Sequence, residues 1–343
     1  MQPSAYPTER RGITRCRQGR LRPTPQGAHM SQVIIASQLD EDYNDVLRQR
    51  MASIHPEAQV IGVPVGVPSD LPPQANILLL RPINVRGYTA PDTPPPGWPY
   101  GVQWVHLVSS GIDFYPQWLF NGPPVTTSRG SAADNLAEFA LAAIFAASKH
   151  LPAIWVKDAQ WNFTALRPLK GTTLGILGFG AIGERLAHKA LALGIKVVAL
   201  RQSPVPFSAD VEAAKDIHDL FARADHLVVA APLTEATRHI INRDVLGSAK
   251  PGLHLINIAR GGLLDQEALL EALDNGQVGL ASLDVTEPEP LPDGHALYTH
   301  PRVRLSPHTS AISTNSRNEI ADTFLANLEL YVADQALNNL AYV

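Results

Sequence analysis

The sequence predicts an α/β fold made of two Rossmann-like, doubly wound parallel-sheet domains. Three observations lead there. Short apolar runs alternate with helical stretches from residue 32 onward. The alternation occurs twice, on either side of a long apolar helix. The second series opens on a turn of spaced glycines between a strand and a helix. The 343 residues are enough for two cores.

The first series begins with the strand QVIIAS and a helix near Glu41–Ala52. AQVIGV and ANILLL read as strands with proline-rich connections. APDTPPPGWPYG is a surface loop, because its prolines cannot enter a sheet interior. QWVHLV and PVTTS complete this layer. The helix DNLAEFALAAIFAASKH is apolar on most sides, which predicts burial between domains. The second series has six strands: TLGIL, VVAL, HLVVAA, LHLINI, GLASLDV and RVRLS. Among its helices, DQEALLEALDNG carries an Asp at the N-cap position and a Gly just past its end. A final helix near Asn315–Asp334 is long enough to run back to the first domain.

Composition narrows the classes of function. Residues 1–30 hold six arginines against one acid, with scattered prolines and no apolar period. They read as a disordered leader, from an upstream start or an added extension, and carry no weight in the fold. Without them the formal charge moves from −4 to −9, which argues against non-specific nucleic-acid binding. No apolar run approaches the ~18 residues of a membrane span. The single cysteine, Cys16, excludes an internal disulfide framework and a cysteine metal cluster; a reducing cytoplasm fits.

LGILGFGAIGERLA contains Gly178-x-Gly180-x-x-Gly183. By itself GxGxxG is a weak signal. Between an apolar strand and an amphipathic helix it predicts a dinucleotide pyrophosphate at the helix N-terminus, with Phe179, Ala181 and Ile182 in the same turn. Gly178 permits the tight turn, Gly180 the close approach of backbone to ligand, and Gly183 the packing of helix on strand. A site for NAD usually places an acid at the end of the next strand, on the adenine-side ribose. Here VVAL is followed by Arg201, with Ser203 close behind. An arginine there pairs with a 2′-phosphate, so NADP is expected, with NAD possible.

Ligands bind at the carboxyl ends of strands in such sheets. Three candidates follow strand-like runs: Arg260 after LINIA, Glu289 in LDVTEPEPLP, and His308 after RVRLSP. None would persuade alone, since a lone His among twelve is usually structural or solvated and an acid between prolines is usually a loop residue. Together they suggest a carboxylate-binding cation, an acid–base imidazole and a carboxylate that tunes it. No HExxH or clustered Cys/His pattern calls for a metal.

These stretches, with APLTEATRHIIN and in this order and spacing, resemble the D-isomer-specific 2-hydroxyacid dehydrogenases over essentially all residues after Met30. The resemblance implies a substrate domain (31–129 and 314–343) split by an inserted cofactor domain (130–313), with catalysis in the cleft. It makes Arg260 the substrate-binding arginine, His308 the acid–base and Glu289 its partner. It places Pro232, Thr237, Ile258 and Ala259 around the cofactor and Asp284 at the nicotinamide carboxamide. VSSGIDF resembles the loop whose backbone N–H groups hold a substrate carboxylate, through Ser110 and Gly111. Family spacing selects Glu289 over Glu287. The chain departs from the pattern after the histidine, where Thr309, Ser310 and Ala311 replace apolar residues and glycines. Phe114, Tyr115 and Trp118 either shape a small pocket or belong to a core. The implied activity is reduction of a small 2-oxo acid, glyoxylate or hydroxypyruvate, by a cytoplasmic homodimer that binds neither nucleic acid nor membrane. The alternatives are a phosphite dehydrogenase, a formate dehydrogenase (against which Glu289 argues) and a nucleotide-sensing corepressor with the same triad.

Overall fold

A computed structural model of the chain describes residues 32–341, apart from 86 and 162. The leader reading of residues 1–30 lies outside the described residues. The first layer contains β1 (Ile34–Ser37), α1 (Glu41–Met51), β2 (Gln59–Gly62), β3 (Ile77–Leu80), β4 (Trp104–Leu107) and β5 (Val125–Thr127). Asp40 starts α1 by accepting a hydrogen bond from Tyr43 N. The five strands are all parallel in the order β2-β1-β3-β4-β5, one of the two common doubly wound orders. Both faces are covered, so β1, β3 and β4 are continuous apolar or buried runs rather than alternating ones.

After α2 (Ala133–Ser148), the second layer runs through β6 (Thr173–Leu177), α3 (Ala181–Ala192), β7 (Lys196–Leu200), β8 (Val211–Ala213), α4 (Ile217–Arg223) and β9 (His226–Val229). It continues through α5 (Arg243–Gly247), β10 (Leu253–Asn257), α6 (Gln266–Asp274), β11 (Val278–Leu283), α7 (Ala296–Thr299) and β12 (Val303–Leu305). The order β12-β11-β10-β9-β6-β7-β8 is parallel throughout and reverses direction between β6 and β9. That is the dinucleotide-binding order with one strand added. The sheet therefore has seven strands where the apolar pattern indicates six. The unexpected one, β8, is a three-residue edge strand with one buried side chain, Val211, too short to show a period.

Helix α2 is not buried between the domains. It packs on α3 with Ala137, Ala140, Leu141 and Ile144, in the same core as β6 and β7. A strip along its flank stays open, with Phe145 36% exposed. A run of alanines looks apolar on every face, so pattern alone could not tell which face was covered. The last helix, α8 (Ser316–Val332), returns to the first sheet. There Phe324 stacks on the fully buried Trp104 at 5.2 Å, and the Trp104 indole donates to Thr126 Oγ1 at 2.9 Å. The chain end follows, with Thr127 N donating to Asn339 O and Ala341 N to Val125 O. Among the described residues no helix is long and apolar enough to cross a membrane.

Candidate active site

Three glycines shape the turn from β6 into α3, each for a different reason. Gly178 has φ +96°, and a Cβ there would lie 2.5 Å from Ala231 N, so both the conformation and the neighbouring β9 loop require glycine. A Cβ on Gly183 would lie 2.8 Å from Gly178 O, which is the close packing of helix on strand. A Cβ on Gly180 would meet nothing within 4 Å. Gly180 is therefore not required by the protein's own packing. It stands at the N-cap of the twelve-residue α3, with Phe179, Ala181 and Ile182 beside it, and the open space fits an anionic pyrophosphate.

Arg201 follows β7 and lies against this turn. Its guanidinium donates to Phe179 O at 3.3 Å, to Pro206 O at 2.8 Å and to Val205 O, and sits 4.6 Å from the centre of the Phe207 ring. It is folded onto its own loop rather than solvated. Ser203 is exposed in the same loop, and its hydroxyl faces Val205 N. In the loop after β9, Thr237 Oγ1 donates to Pro232 O at 2.8 Å and accepts from Thr234 N, so this hydroxyl shapes the turn.

Arg260 stands just past β10. The buried Asn257 shapes its turn: Asn257 Oδ1 accepts from Ala259 N, and its Nδ2 donates to Arg260 O. Ile258 is buried and Ala259 half-buried beside them. Arg260 reaches across to the loop after β4, where a Cβ on Gly111 would lie 2.1 Å from its Nη2. It lies 5.3 Å from the Phe114 ring centre and pairs with Asp113. Ser110 donates through its hydroxyl to Ser128 O. Among the described residues neither the Ser110 nor the Gly111 backbone N–H has an acceptor. Tyr115 and Trp118 are buried in the first core, so of the three aromatic candidates only Phe114 touches Arg260.

His308 and Glu289 meet directly, His308 Nδ1 to Glu289 Oε2 at 2.8 Å. Glu289 Oε1 accepts from Thr286 N at 3.0 Å. The hydrogen bond that His308 donates to Glu289 raises the His308 pKa above the ordinary value, while burial and Arg260 oppose it. Burial alone would raise Glu289, but His308 and Thr286 N hold it below the usual carboxylate range. Other histidines behave oppositely: burial pushes His106 down to about 3, His226 to about 4 and His254 to about 3. Glu287 faces away from this pair. Both its oxygens accept from Arg238 Nη1 at 2.9 Å, and its backbone exchanges hydrogen bonds with the Gln266 side chain.

Asp284 is 2% exposed, and its carboxylate is committed to the histidine loop. Oδ1 accepts from Ser306 Oγ and Thr309 N, and Oδ2 from Ser310 N and Ser310 Oγ. Burial would raise its pKa, but these four bonds hold it low. The carboxamide contact expected for Asp284 thus competes with four internal donors that fill a carboxylate's usual acceptor positions. Ser310, one of the departures after the histidine, has a use: it helps hold the loop in which His308 takes φ +50°, a backbone that costs roughly 1–3 kcal/mol and persists only where its surroundings enforce it. Sequence reasoning passed over Asp113, Asn257, Arg238, Gln266 and Ser306, and noted Ser310 only as a departure from the pattern. Asp113 was within reach, inside the quoted VSSGIDF stretch; the others carry no local signal.

The family model described as D-isomer specific 2-hydroxyacid dehydrogenase, NAD binding domain, matches residues 141–310. A hydroxypyruvate reductase of Thermotoga maritima is 36% identical over 58% of this chain and 67% of its own length. A glyoxylate reductase of Thermofilum pendens is 32% identical over 65% of this chain and 70% of its own. A solved D-isomer specific 2-hydroxyacid dehydrogenase family protein of Aeromonas salmonicida superposes with a TM-score of 0.74 at 25% identity, over 91% of this chain and 98% of that one. With a nucleotide-binding turn, an arginine fork and a carboxylate-backed imidazole on one sheet edge, the chain belongs to the D-isomer specific 2-hydroxyacid dehydrogenase family of NAD(P)-dependent oxidoreductases.

Proposed function

We propose that the chain reduces small 2-oxo acids, glyoxylate and hydroxypyruvate first among them, in the cytoplasm, with NADPH preferred to NADH. The observation that carries this reading is the placement of Arg260 near an imidazole whose inner nitrogen is held by Glu289. Arg260 offers a planar fork for the substrate carboxylate and polarises the carbonyl oxygen, where negative charge grows. Glu289 keeps His308 protonated toward neutral pH and leaves Nε2 to give its proton to that oxygen. The free N–H groups of Ser110 and Gly111 add donors for the carboxylate. A nicotinamide, when bound, supplies the hydride. The turn at Gly178, Gly180 and Gly183, with Ile258, Ala259 and Pro232, would hold the dinucleotide.

The cofactor preference rests on Arg201. A guanidinium beside a 2′-phosphate is worth roughly 1.5–3 kcal/mol net, about tenfold to a hundredfold in affinity. The test is a panel of 2-oxo acids run with each cofactor at one low salt concentration, on the parent and on Arg201→Asp. NADPH should be favoured by that factor, mostly in KM, and the substitution should reverse the order. Equal kcat/KM for the two cofactors in the parent would defeat the NADP reading, and no turnover of any 2-oxo acid would defeat the activity. We also propose a homodimer. The segment after α2 exposes Trp155 (68%), Trp161 (71%) and Phe163 (99%), an apolar surface suited to a second copy. A monomer mass by light scattering at micromolar concentration would refute it.

A further inference from the structure

Arg260 has five N–H donors, and the structure shows where three of them go. Its Nε donates to Asp113 Oδ2 at 3.1 Å and its Nη2 to Asp113 Oδ1 at 3.1 Å, a side-on bidentate pair. Its Nη1 donates backward to Ala259 O at 2.7 Å. One N–H remains on each terminal nitrogen. In a planar guanidinium those two are parallel and form the end-on edge, which matches a second carboxylate. The Phe114 ring beside the guanidinium limits its tilt, and Gly111 leaves no side chain between the fork and the loop.

Resting on the reading of Arg260 as the substrate-binding arginine, we propose that Asp113 is its positioning residue: the carboxylate grips one edge of the fork and aims the other at the carboxylate of the 2-oxo acid. Asp113 belongs to the loop after β4, on the five-stranded sheet, and Arg260 to the loop after β10, on the seven-stranded one. The fork is therefore set only where the two layers meet. An arginine side chain has four soft torsions, and an unguided fork would have to be ordered by each substrate at a cost in affinity. A carboxylate on the side-on edge removes that cost and does not occupy the end-on edge.

The test compares the parent with Asp113→Asn, Asp113→Ala, Asp113→Glu, Arg260→Ala and the Asp113→Ala/Arg260→Ala double variant. The readouts are glyoxylate kinetics with NADPH, NADPH affinity, melting temperature, and the affinity of oxamate, an unreactive carboxylate, in the presence of cofactor. Asp113→Ala should raise KM for glyoxylate and weaken oxamate by about tenfold, modest for a charged pair because Asp113 is half exposed. Asp113→Asn, which keeps the shape and one acceptor, should do less, and Asp113→Glu should recover part of the loss. NADPH affinity and melting temperature should stay near the parent values. Removing Asp113 should cost nothing more once Arg260 is alanine. Tighter oxamate binding in Asp113→Ala would overturn the proposal, since the carboxylate would then be a competitor for the fork. So would unchanged kinetics in Asp113→Ala while Arg260→Ala is crippled, which leaves the arginine assignment standing. Parent-like kinetics in Arg260→Ala itself would remove both.

Discussion

The two halves of the seven-stranded sheet make their sites in opposite ways. After β6, the site is a shape in the backbone: glycines at 178 and 183 where a Cβ would collide, and one at 180 where it would not. After β10, β11 and β12, the site is a set of side chains aimed by partners: Arg260 by Asp113, His308 by Glu289, and the histidine loop by Asp284. The first arrangement depends on what is missing from the side chains and the second on what is paired with them. They should break differently.

The largest effect is expected at the paired end. His308→Ala removes the group proposed to give the proton, so kcat/KM for 2-oxo acid reduction should fall by about 10²–10⁴-fold. NADPH affinity should be retained, because the glycine turn is at the other end of the site. A variant that reduces glyoxylate at the parent rate would show that the proton comes from elsewhere.

The glycine turn separates the needs of fold from those of ligand. Gly178→Ala must adopt φ +96° and push against the Ala230–Ala231 backbone, so a loss on the order of 2–4 kcal/mol of stability is expected. Gly180→Ala meets no atom and has no left-handed backbone, so its stability should stay within about 0.5 kcal/mol of the parent while NADPH binding weakens. Chemical denaturation and cofactor titration on the two variants check this. Equal destabilisation, or parent-like binding by Gly180→Ala, would mean that the two glycines do not divide these tasks.

The smallest effect is a displacement along the pH axis. Glu289 raises the His308 pKa, so reduction, which on the proposed mechanism uses the protonated imidazole, should be lost as pH rises through that raised value. Oxidation uses the neutral form and is lost as pH falls through it. Glu289→Gln lowers the pKa, and both limbs should move to lower pH. Glu287→Gln should leave the profile in place, because that carboxylate is held by Arg238. A shift produced by Glu287→Gln and not by Glu289→Gln would exchange their roles.

Sequence by itself determined the features that depend on local chemistry. Continuous apolar runs mark strands buried on both faces, Asp265 and Gly276 bound α6, and the glycine spacing marks the nucleotide turn, where a side chain would collide at 178 and 183. It also brought Arg260, Glu289 and His308 forward, because each follows a strand at the edge where such sheets bind ligands. Tertiary structure alone decided the rest. Family spacing had selected Glu289 over Glu287, but what each carboxylate does needed the positions of Arg238 and His308, which lie 49 residues from Glu287 and 19 from Glu289 in the chain. The face of α2 that packs could not be read from alanines, and β8 is an edge strand too short to have a period. Asp284 looks like one more acid at a strand end until four donors from residues 306–310 close on it, and Asp113 is an ordinary loop acid until Arg260 arrives from 147 residues away. A conformational requirement is local to a residue and is written there; a pairing between charges belongs to the folded arrangement that brings them within hydrogen-bond reach.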